Sequence, residues 1–390
     1  MLVGIVGAPN KGKSTLFSAL TSLDVHIADY PFTTIKPNVG IGYLAKKCPH
    51  VELSLKSCNP RNSACRDGIR RIPVKVIDVA GLIEGAHTGK GMGNQFLNDI
   101  AAADALIIVV DLSGRTDASG NPSSGSDPSD DIKMVLSEIS EWIAQIIKRH
   151  TKDAGRLGIV DMLHNALAGL NISDFQISKA VEAVGLRGDI NTDYGIYEIS
   201  KAILKMAKPF IIAANKYDTI GADATLKKLE AEYGKGRVVA CSAAIALALN
   251  KAARQGIISY DPAKNEVLIK KYDISAEQSK ALQFMTRFVT EHGSGVQKLI
   301  NQVYLELLEN IVVYPVEDEN KFSDHFGNAL PDAILMKKGS SAKGLAAHIH
   351  TDIADKMLYA IDARTKIRLA KDYILKDNDV IKIVSSARSN

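Results

Sequence analysis

Residues 7–14 read Gly7-Ala8-Pro9-Asn10-Lys11-Gly12-Lys13-Ser14, between the apolar run Leu2-Val3-Gly4-Ile5-Val6 and the stretch Thr15-Leu16-Phe17-Ser18-Ala19-Leu20. A strand, a glycine-bearing turn and a helix in that order make a phosphate-binding loop. Backbone N–H groups of the turn and the positive end of the helix attract phosphate oxygens. Gly12 lets the backbone close around them, Lys13 is expected to reach the β- and γ-phosphates, and Ser14 to hold Mg²⁺. Gly7, Asn10, Lys11 and Thr15 complete the expected lining.

Further motifs choose the nucleotide. Val76-Ile77-Asp78-Val79-Ala80-Gly81 is an apolar strand ending in D-x-x-G. Asp78 is expected to meet Mg²⁺ through water, and the Gly81 N–H to meet a γ-phosphate oxygen. Phe210-Ile211-Ile212-Ala213-Ala214 leads into Asn215-Lys216-Tyr217-Asp218. The Asp218 carboxylate suits the N1–H and exocyclic amine of guanine; adenine has neither donor there, and an unpaired carboxylate is costly. Lys216 would lie along the base, with Asn215 bracing the loop and meeting N7. Val238-Val239-Ala240-Cys241-Ser242-Ala243 is another strand ending in S-A, whose Ala243 N–H would donate to guanine O6. Between the first helix and the next strand, one hydroxyl of Thr33 or Thr34 must sense the γ-phosphate, and Thr34 is preferred.

Two longer stretches carry a family resemblance. Tyr30 to Gly40 reads Y-P-F-T-T-I-K-P-N-V-G, and Asp78 to Leu97 reads D-V-A-G-L-I-E-G-A-H-T-G-K-G-M-G-N-Q-F-L. Together they resemble the Obg and YchF group of translation-factor-related GTPases. The resemblance implies that Thr34 is the Mg²⁺-binding threonine. Typical YchF members use ATP with a degenerate base motif; this chain keeps N-K-Y-D and so resembles a GTP-selective relative.

Leu82 follows Gly81, where many small GTPases place a water-orienting glutamine, so slow intrinsic hydrolysis is expected. Two residues could compensate. The loop resembles that of potassium-stimulated GTPases, in which the asparagine at the position of Asn10 ligates K⁺; otherwise Asn10 caps the turn. His87 could position water or a partner, or simply face solvent. Gly81, Gly85, Gly89, Gly91 and Gly93 make this segment easy to remodel.

A chain of 390 residues predicts two or three domains, and 46% hydrophobic content suffices for packed cores. No apolar run approaches membrane-spanning length, and the N-terminus enters a core strand at once, so a cytoplasmic protein without a signal peptide is expected. The net charge of +4 permits nucleic-acid binding without requiring it. Four cysteines suggest a reducing compartment. Cys48, His50, Cys58 and Cys65 cluster in sequence and could hold zinc, but the signal is weak without paired C-x-x-C knuckles, and they read first as free thiols in a loop or hairpin extension.

These elements set the organisation. Residues 1–112 and 208–310 read as two parts of a GTPase domain, the second with a helical tail, separated by a helical insertion at 113–207. The insertion opens with a Ser-, Gly- and Pro-rich loop. A helix follows, with Ser129, Asp130 and Asp131 as cap and acidic first turn. Ile132, Val135, Leu136, Ile139, Trp142, Ile143 and Ile146 form its apolar face, read as core rather than as a partner groove. Further helices are expected near 156–170, 173–184 and 197–207, at 280–291 behind the capping box Ser275-Ala276-Glu277-Gln278, and at 296–309. Residues 311–390 resemble a TGS domain, a β-grasp module. There Arg364, Lys366 and Arg368 would share one strand face suited to a phosphate backbone.

The expected fold class is α/β: a P-loop GTPase sheet with helices on both faces, a helical insertion and a C-terminal β-grasp domain. The expected function is GTP hydrolysis to GDP and phosphate by a monomeric switch, with Mg²⁺ and K⁺ as cofactors and the ribosome or its RNA as partner. Lys13, Thr34, Gly81 and Asn10 would carry catalysis, and Ser14, Thr34 and Asp78 the metal. The alternatives are a non-catalytic, nucleotide-stabilised RNA-binding module, or a YchF-like ATPase, which Asp218 disfavours.

Overall fold

The computed structural model describes all residues except 26, 28–37, 83, 84, 86–92, 152–157, 171, 186–191, 272 and 387–390, and the side chains of 93–97. Thr33, Thr34 and His87 therefore lie outside the described residues.

By internal contacts the chain divides into two units. The first comprises residues 1–22, 36–42 and 75–299, and the second 23–35, 43–74 and 300–390. A seven-stranded sheet runs in the order β2 (Val39–Lys47), β4 (Ile69–Asp78), β1 (Leu2–Val6), β5 (Ala105–Asp111), β6 (Phe210–Asn215) and β7 (Val238–Ala240), with β3 (Ala64–Arg66) paired to β4. β4, β1, β5, β6 and β7 are parallel to their neighbours in that series. Ile5 stands beside Asp78 and Asp111 beside Asn215, so the carboxyl ends of four strands lie side by side. In open α/β sheets that edge is where ligands bind.

Strands β1, β5, β6 and β7 are apolar runs, β5 and β6 closing on Asp111 and Asn215. Every residue of Ala105–Asp111 is buried, as expected of a parallel strand covered on both faces. Helix α1 (Lys13–Thr21) follows β1, and α2 (Pro49–Glu52) and α3 (Gly93–Ala102) come later in the chain. Helix α4 (Pro128–His150) shares the main core with α5 (Ile159–Leu167), α6 (Asp174–Val184) and α7 (Asp193–Ala207). Ile132, Val135, Ile139 and Ile143 are buried there, with Leu136, Trp142 and Ile146 packed against them, so the apolar stripe of α4 is core. The cap of α4 lies two residues earlier than the sequence suggests. Asp127, not Ser129, is the N-cap and accepts from the Ser129 N–H at 3.1 Å, because Pro128 occupies the first helical position with its φ already set.

The capping boxes Ser173–Gln176 and Ser275–Gln278 both form. After α8 (Ala222–Tyr233) and β7 come α9 (Ala243–Arg254), an antiparallel hairpin β8 (Ile258–Asp261) and β9 (Glu266–Ile269), and α10 (Ala276–His292). That hairpin was not expected; its strands are only four residues each, too short for a clear alternation. The helix expected over 296–309 is α-helical only at Val296–Asn301 (α11) and continues as π-helix over Gln302–Leu307.

The second unit contains a five-stranded sheet, ordered β11 (Ile334–Lys337), β10 (Asn310–Val316), β14 (Val380–Ser385), β12 (Met357–Asp362) and β13 (Arg368–Leu369). Helix α12 (Ala342–Ile349) buries Ala342, Leu345 and Ala346 against Val313, Met336, Ala360 and Ile381. The last strand of the sheet, Val380–Ser385, pairs with both β10 and β12.

The shared cationic strand face does not exist. β13 holds only Arg368 and Leu369, Arg364 lies in the preceding turn, and Lys366 has φ +63°. The three cations are spent separately. Arg364 pairs with Glu52 at 3.2 Å, Lys366 donates to the Glu319 carbonyl and lies over the Phe322 ring, and Arg368 stacks 3.8 Å from the Tyr359 ring centroid. Alternating charges in a short turn-rich stretch mimic strand periodicity without forming a strand.

Candidate nucleotide site

Helix α1 starts from Gly12, whose φ of +92° is a left-handed conformation that L side chains rarely adopt. Its N-terminus has no side-chain cap, which leaves its first-turn N–H groups facing out of the loop. Gly7 is equally constrained, since a Cβ there would stand 2.6 Å from the Val109 carbonyl oxygen. A Cβ on Gly12 would collide with the Asn215 amide.

Lys13 is buried, and its Nζ donates to the Ala8 carbonyl at 2.8 Å. Burial lowers its pKa to about 8, with Asp78 opposing that shift and Lys11 adding to it. Asp78, at the end of β4, is shifted the other way: burial raises its pKa, opposed by a hydrogen bond from Ser14 and by the Lys13 charge. Ser14 and Asp78 thus present a hydroxyl and a carboxylate together, hard oxygen donors of the kind Mg²⁺ takes. Gly81 abuts the same ammonium; a Cβ there would lie 3.3 Å from Lys13 Nζ. Leu82 is 1% exposed in the core with Val6, Ile77, Val79 and Ile100, and its N–H donates to the Gly7 carbonyl at 3.2 Å. Its side chain therefore points away from the phosphate pocket.

On the base side, Asn215 ties two loops together. Its Nδ2 donates to the Lys11 carbonyl at 3.0 Å, and its Oδ1 accepts from the Ala243 N–H at 3.1 Å. The Ala243 N–H, assigned above to guanine O6, is thus already used within the protein, because β6 and β7 are adjacent and bring the two motifs into contact. Asp218 is half-buried and accepts from the Ser242 hydroxyl, which orients the carboxylate.

Three contacts have no counterpart in the motif reading. Lys216 Nζ pairs with Asp111 Oδ2 at 2.7 Å and donates to the Asn10 carbonyl at 3.4 Å. Burial works to raise the Asp111 pKa, but hydrogen bonds from Lys216 and Ser113 hold it below its ordinary value. Asp111 ends β5 directly beside Asn215, so the strand register makes this pair; the sequence signal is only a carboxylate closing an apolar strand. The loop after β5 also folds over the phosphate-binding loop. Asn10 Nδ2 donates to the Gly120 carbonyl at 2.9 Å, and Gly120 (φ +82°) is pressed so close that a Cβ would stand 2.7 Å from Pro9 Cβ. Lys11 turns away from the pocket: its Nζ is buried against Asp131 Oδ2 at 2.9 Å and the Thr116 carbonyl at 2.8 Å. The side chain of Lys11 is therefore an anchor for α4 rather than part of the phosphate lining. Thr15 is half-buried in the first turn of α1.

Residues 2–153 match the 50S ribosome-binding GTPase family, residues 213–318 the Obg-like GTPase YGR210-like, G4 motif-containing domain, and residues 327–385 the TGS domain. A guanine-nucleotide-binding P-loop domain joined to a TGS domain is the class these features define. The chain belongs to the Obg/YchF-like GTPase family and binds GTP. An uncharacterized GTP-binding protein of Methanocaldococcus jannaschii is 48% identical over 99% of this chain and 100% of its own length. The crystal structure of a GTP-binding protein from Pyrococcus horikoshii OT3 is 36% identical, covers 99% of this chain and 100% of its own, and superposes with a TM-score of 0.77. A ribosome-binding ATPase YchF of Mycoplasma genitalium is 27% identical over 97% of both chains. Among the described residues no helix is long and apolar enough to cross a membrane.

Proposed function

We propose that this protein hydrolyses GTP to GDP and phosphate as a nucleotide-dependent switch that acts on the ribosome or its RNA. The observation that carries the hydrolytic reading is the convergence of Lys13, Ser14, Asp78 and Gly81 at adjacent strand ends, with Asp218 on the base side. Ribosomal action rests on the matched ribosome-binding GTPase family and on the names of the YchF relatives.

In this reading the first-turn N–H groups of α1 and the Lys13 ammonium hold the β- and γ-phosphates. Ser14, Asp78 and Thr34 would hold Mg²⁺, which neutralises charge on the β- and γ-oxygens. Gly81 N–H meets a γ-phosphate oxygen, and water attacks in line with the leaving oxygen. The buried Leu82 offers no hydrogen bond to that water, which makes intrinsic turnover slow. Single-turnover hydrolysis with and without ribosomes tests the proposal. Hydrolysis no faster than the uncatalysed blank in both conditions would make the protein a nucleotide-stabilised binding module instead.

Asn10 is exposed, and its amide nitrogen is held by Gly120. No described donor reaches its Oδ1, a hard oxygen suited to K⁺. Replacing Na⁺ by K⁺ at constant ionic strength is expected to speed hydrolysis, and Asn10→Ala to remove the difference with GDP affinity nearly intact. Equal rates in both salts would leave Asn10 as the tether of the covering loop alone.

The lowered pKa of Lys13 has a pH signature. Below pH 8 its charge is already in place for phosphate; above about 8 a proton must be taken up on binding. GTP affinity measured between pH 7.5 and 9 should therefore fall above pH 8, by at most about tenfold per pH unit. A flat profile would mean that Lys13 keeps its proton throughout.

A further inference from the structure

The chain between Cys48 and Cys65 has almost no apolar core of its own. From Cys48 to Arg66 only Cys48, Pro49 and Ser63 are buried. Yet the segment holds a defined position within the second unit. Asn59 N–H donates to the Ala329 carbonyl at 2.9 Å, Arg61 N–H to the Pro331 carbonyl at 2.8 Å, and Arg61 pairs with Asp332 at 2.8 Å. A small segment without a core needs a staple.

The ligating atoms of Cys48, His50, Cys58 and Cys65 all lie within 4.8 Å of one another. The Cys48 and Cys58 sulfurs are 3.8 Å apart, and Cys65 Sγ is 3.7 Å from His50 Nδ1. A zinc tetrahedron with Zn–S of about 2.3 Å and Zn–N of about 2.0–2.1 Å has S···S edges of about 3.8 Å and S···N edges of about 3.6 Å. These two edges match those values, and Cys48, Cys58 and Cys65 are all free.

Charge supplies an independent observation. Arg70 is fully buried. Its guanidinium donates to Ser63 Oγ at 2.8 Å and to the Leu330 and Pro331 carbonyls at 2.8 and 3.3 Å, and lies 5.6 Å from the Tyr314 ring centroid. Its remaining donor faces sulfur, at 3.6 Å from Cys58 and 4.0 Å from Cys48. No carboxylate is among these partners. A guanidinium cannot deprotonate, and a buried charge calls for an opposite one. Three thiolates, a neutral imidazole and Zn²⁺ sum to one negative charge, which balances Arg70.

We propose that Cys48, His50, Cys58 and Cys65 bind one structural zinc ion, which clamps residues 48–65 against the backbone of residues 329–333. Four protein ligands close the coordination sphere, so the site is structural rather than catalytic. The sequence signal is weak because the ligands come as Cys-x-His and two isolated cysteines, without paired knuckles.

The test uses the full-length protein, tag removed and purified under reducing conditions. Elemental analysis should find about one zinc per chain, the stoichiometry of a single four-ligand site. The Cys58→Ser, Cys65→Ser double variant should lose at least nine-tenths of it. Stripped wild-type protein titrated with Co²⁺ should show the visible bands of tetrahedral cobalt and a thiolate charge-transfer band in the near ultraviolet. This arm does not depend on the variant folding. Stripping should also open Lys56 and Arg61 to trypsin, whereas GDP affinity, which resides in the first unit, should be unchanged. Less than about a tenth of an ion in the wild type without cobalt bands, or full zinc content in the double variant, would overturn the proposal.

Discussion

Asp218→Asn is expected to weaken GTP binding by about 3–5 kcal/mol, on the order of 10²–10⁴-fold, and to raise affinity for xanthosine triphosphate. The carboxylate is half-buried and held by the Ser242 hydroxyl, so it accepts from the guanine N1–H and exocyclic amine without reorganising. An asparagine presents one acceptor and one donor, and the donor is aimed at the guanine amine. Xanthine carries a carbonyl at that position, which the amide donor can meet. The wild type should accordingly bind GTP far more tightly than ATP. Fluorescence titration with the three nucleotides decides it. Equal affinity of the wild type for ATP and GTP would show that Asp218 does not read the base, and would favour the ATP-using alternative.

Lys13→Ala and Leu82→Ala should separate catalysis from stability. Removing the Lys13 ammonium takes a positive charge from the phosphate side of the pocket, and single-turnover hydrolysis should fall by about 10²–10³-fold. Leu82→Ala should do the reverse. Its side chain packs with Val6, Ile77, Val79 and Ile100, so truncation opens a cavity and lowers unfolding stability by about 2–5 kcal/mol. Hydrolysis by the folded, loaded fraction should stay within about tenfold of wild type, a barrier change of 1.4 kcal/mol or less. Denaturant melts and single-turnover assays at saturating GTP and Mg²⁺ measure the two effects. If Leu82→Ala cripples hydrolysis as deeply as Lys13→Ala, the leucine positions something that its burial does not reveal.

What could be read from the residues alone was local in origin. A strand–turn–helix with glycines where left-handed backbone is required identifies itself within fifteen residues, as Gly12 at +92° illustrates. The four-residue capping box Ser275–Gln278 and the stripe of α4 were equally legible, because helix periodicity and cap chemistry depend on near neighbours alone. The D-x-x-G, N-K-x-D and S-A motifs could be ordered because each closes an apolar strand.

Tertiary structure decided which groups remain available once those strands lie side by side. Adjacent β6 and β7 let Asn215 take the Ala243 N–H, and the register of β5 with β6 gives Lys216 to Asp111. The loop after β5 takes the Asn10 amide donor, and α4 draws Lys11 away from the phosphates. The same holds in the second unit, where residues 43–74 cluster with residues 300–390. There Cys48, His50, Cys58 and Cys65, scattered in sequence, bring their side-chain tips within 4.8 Å of one another, while the three cations that alternate in sequence go to three different partners. Each of these outcomes depends on a pairing between segments far apart in the chain, or on where a strand stops. Neither is written in the short-range pattern, because hydrogen bonds and charges are allotted by proximity in the folded state.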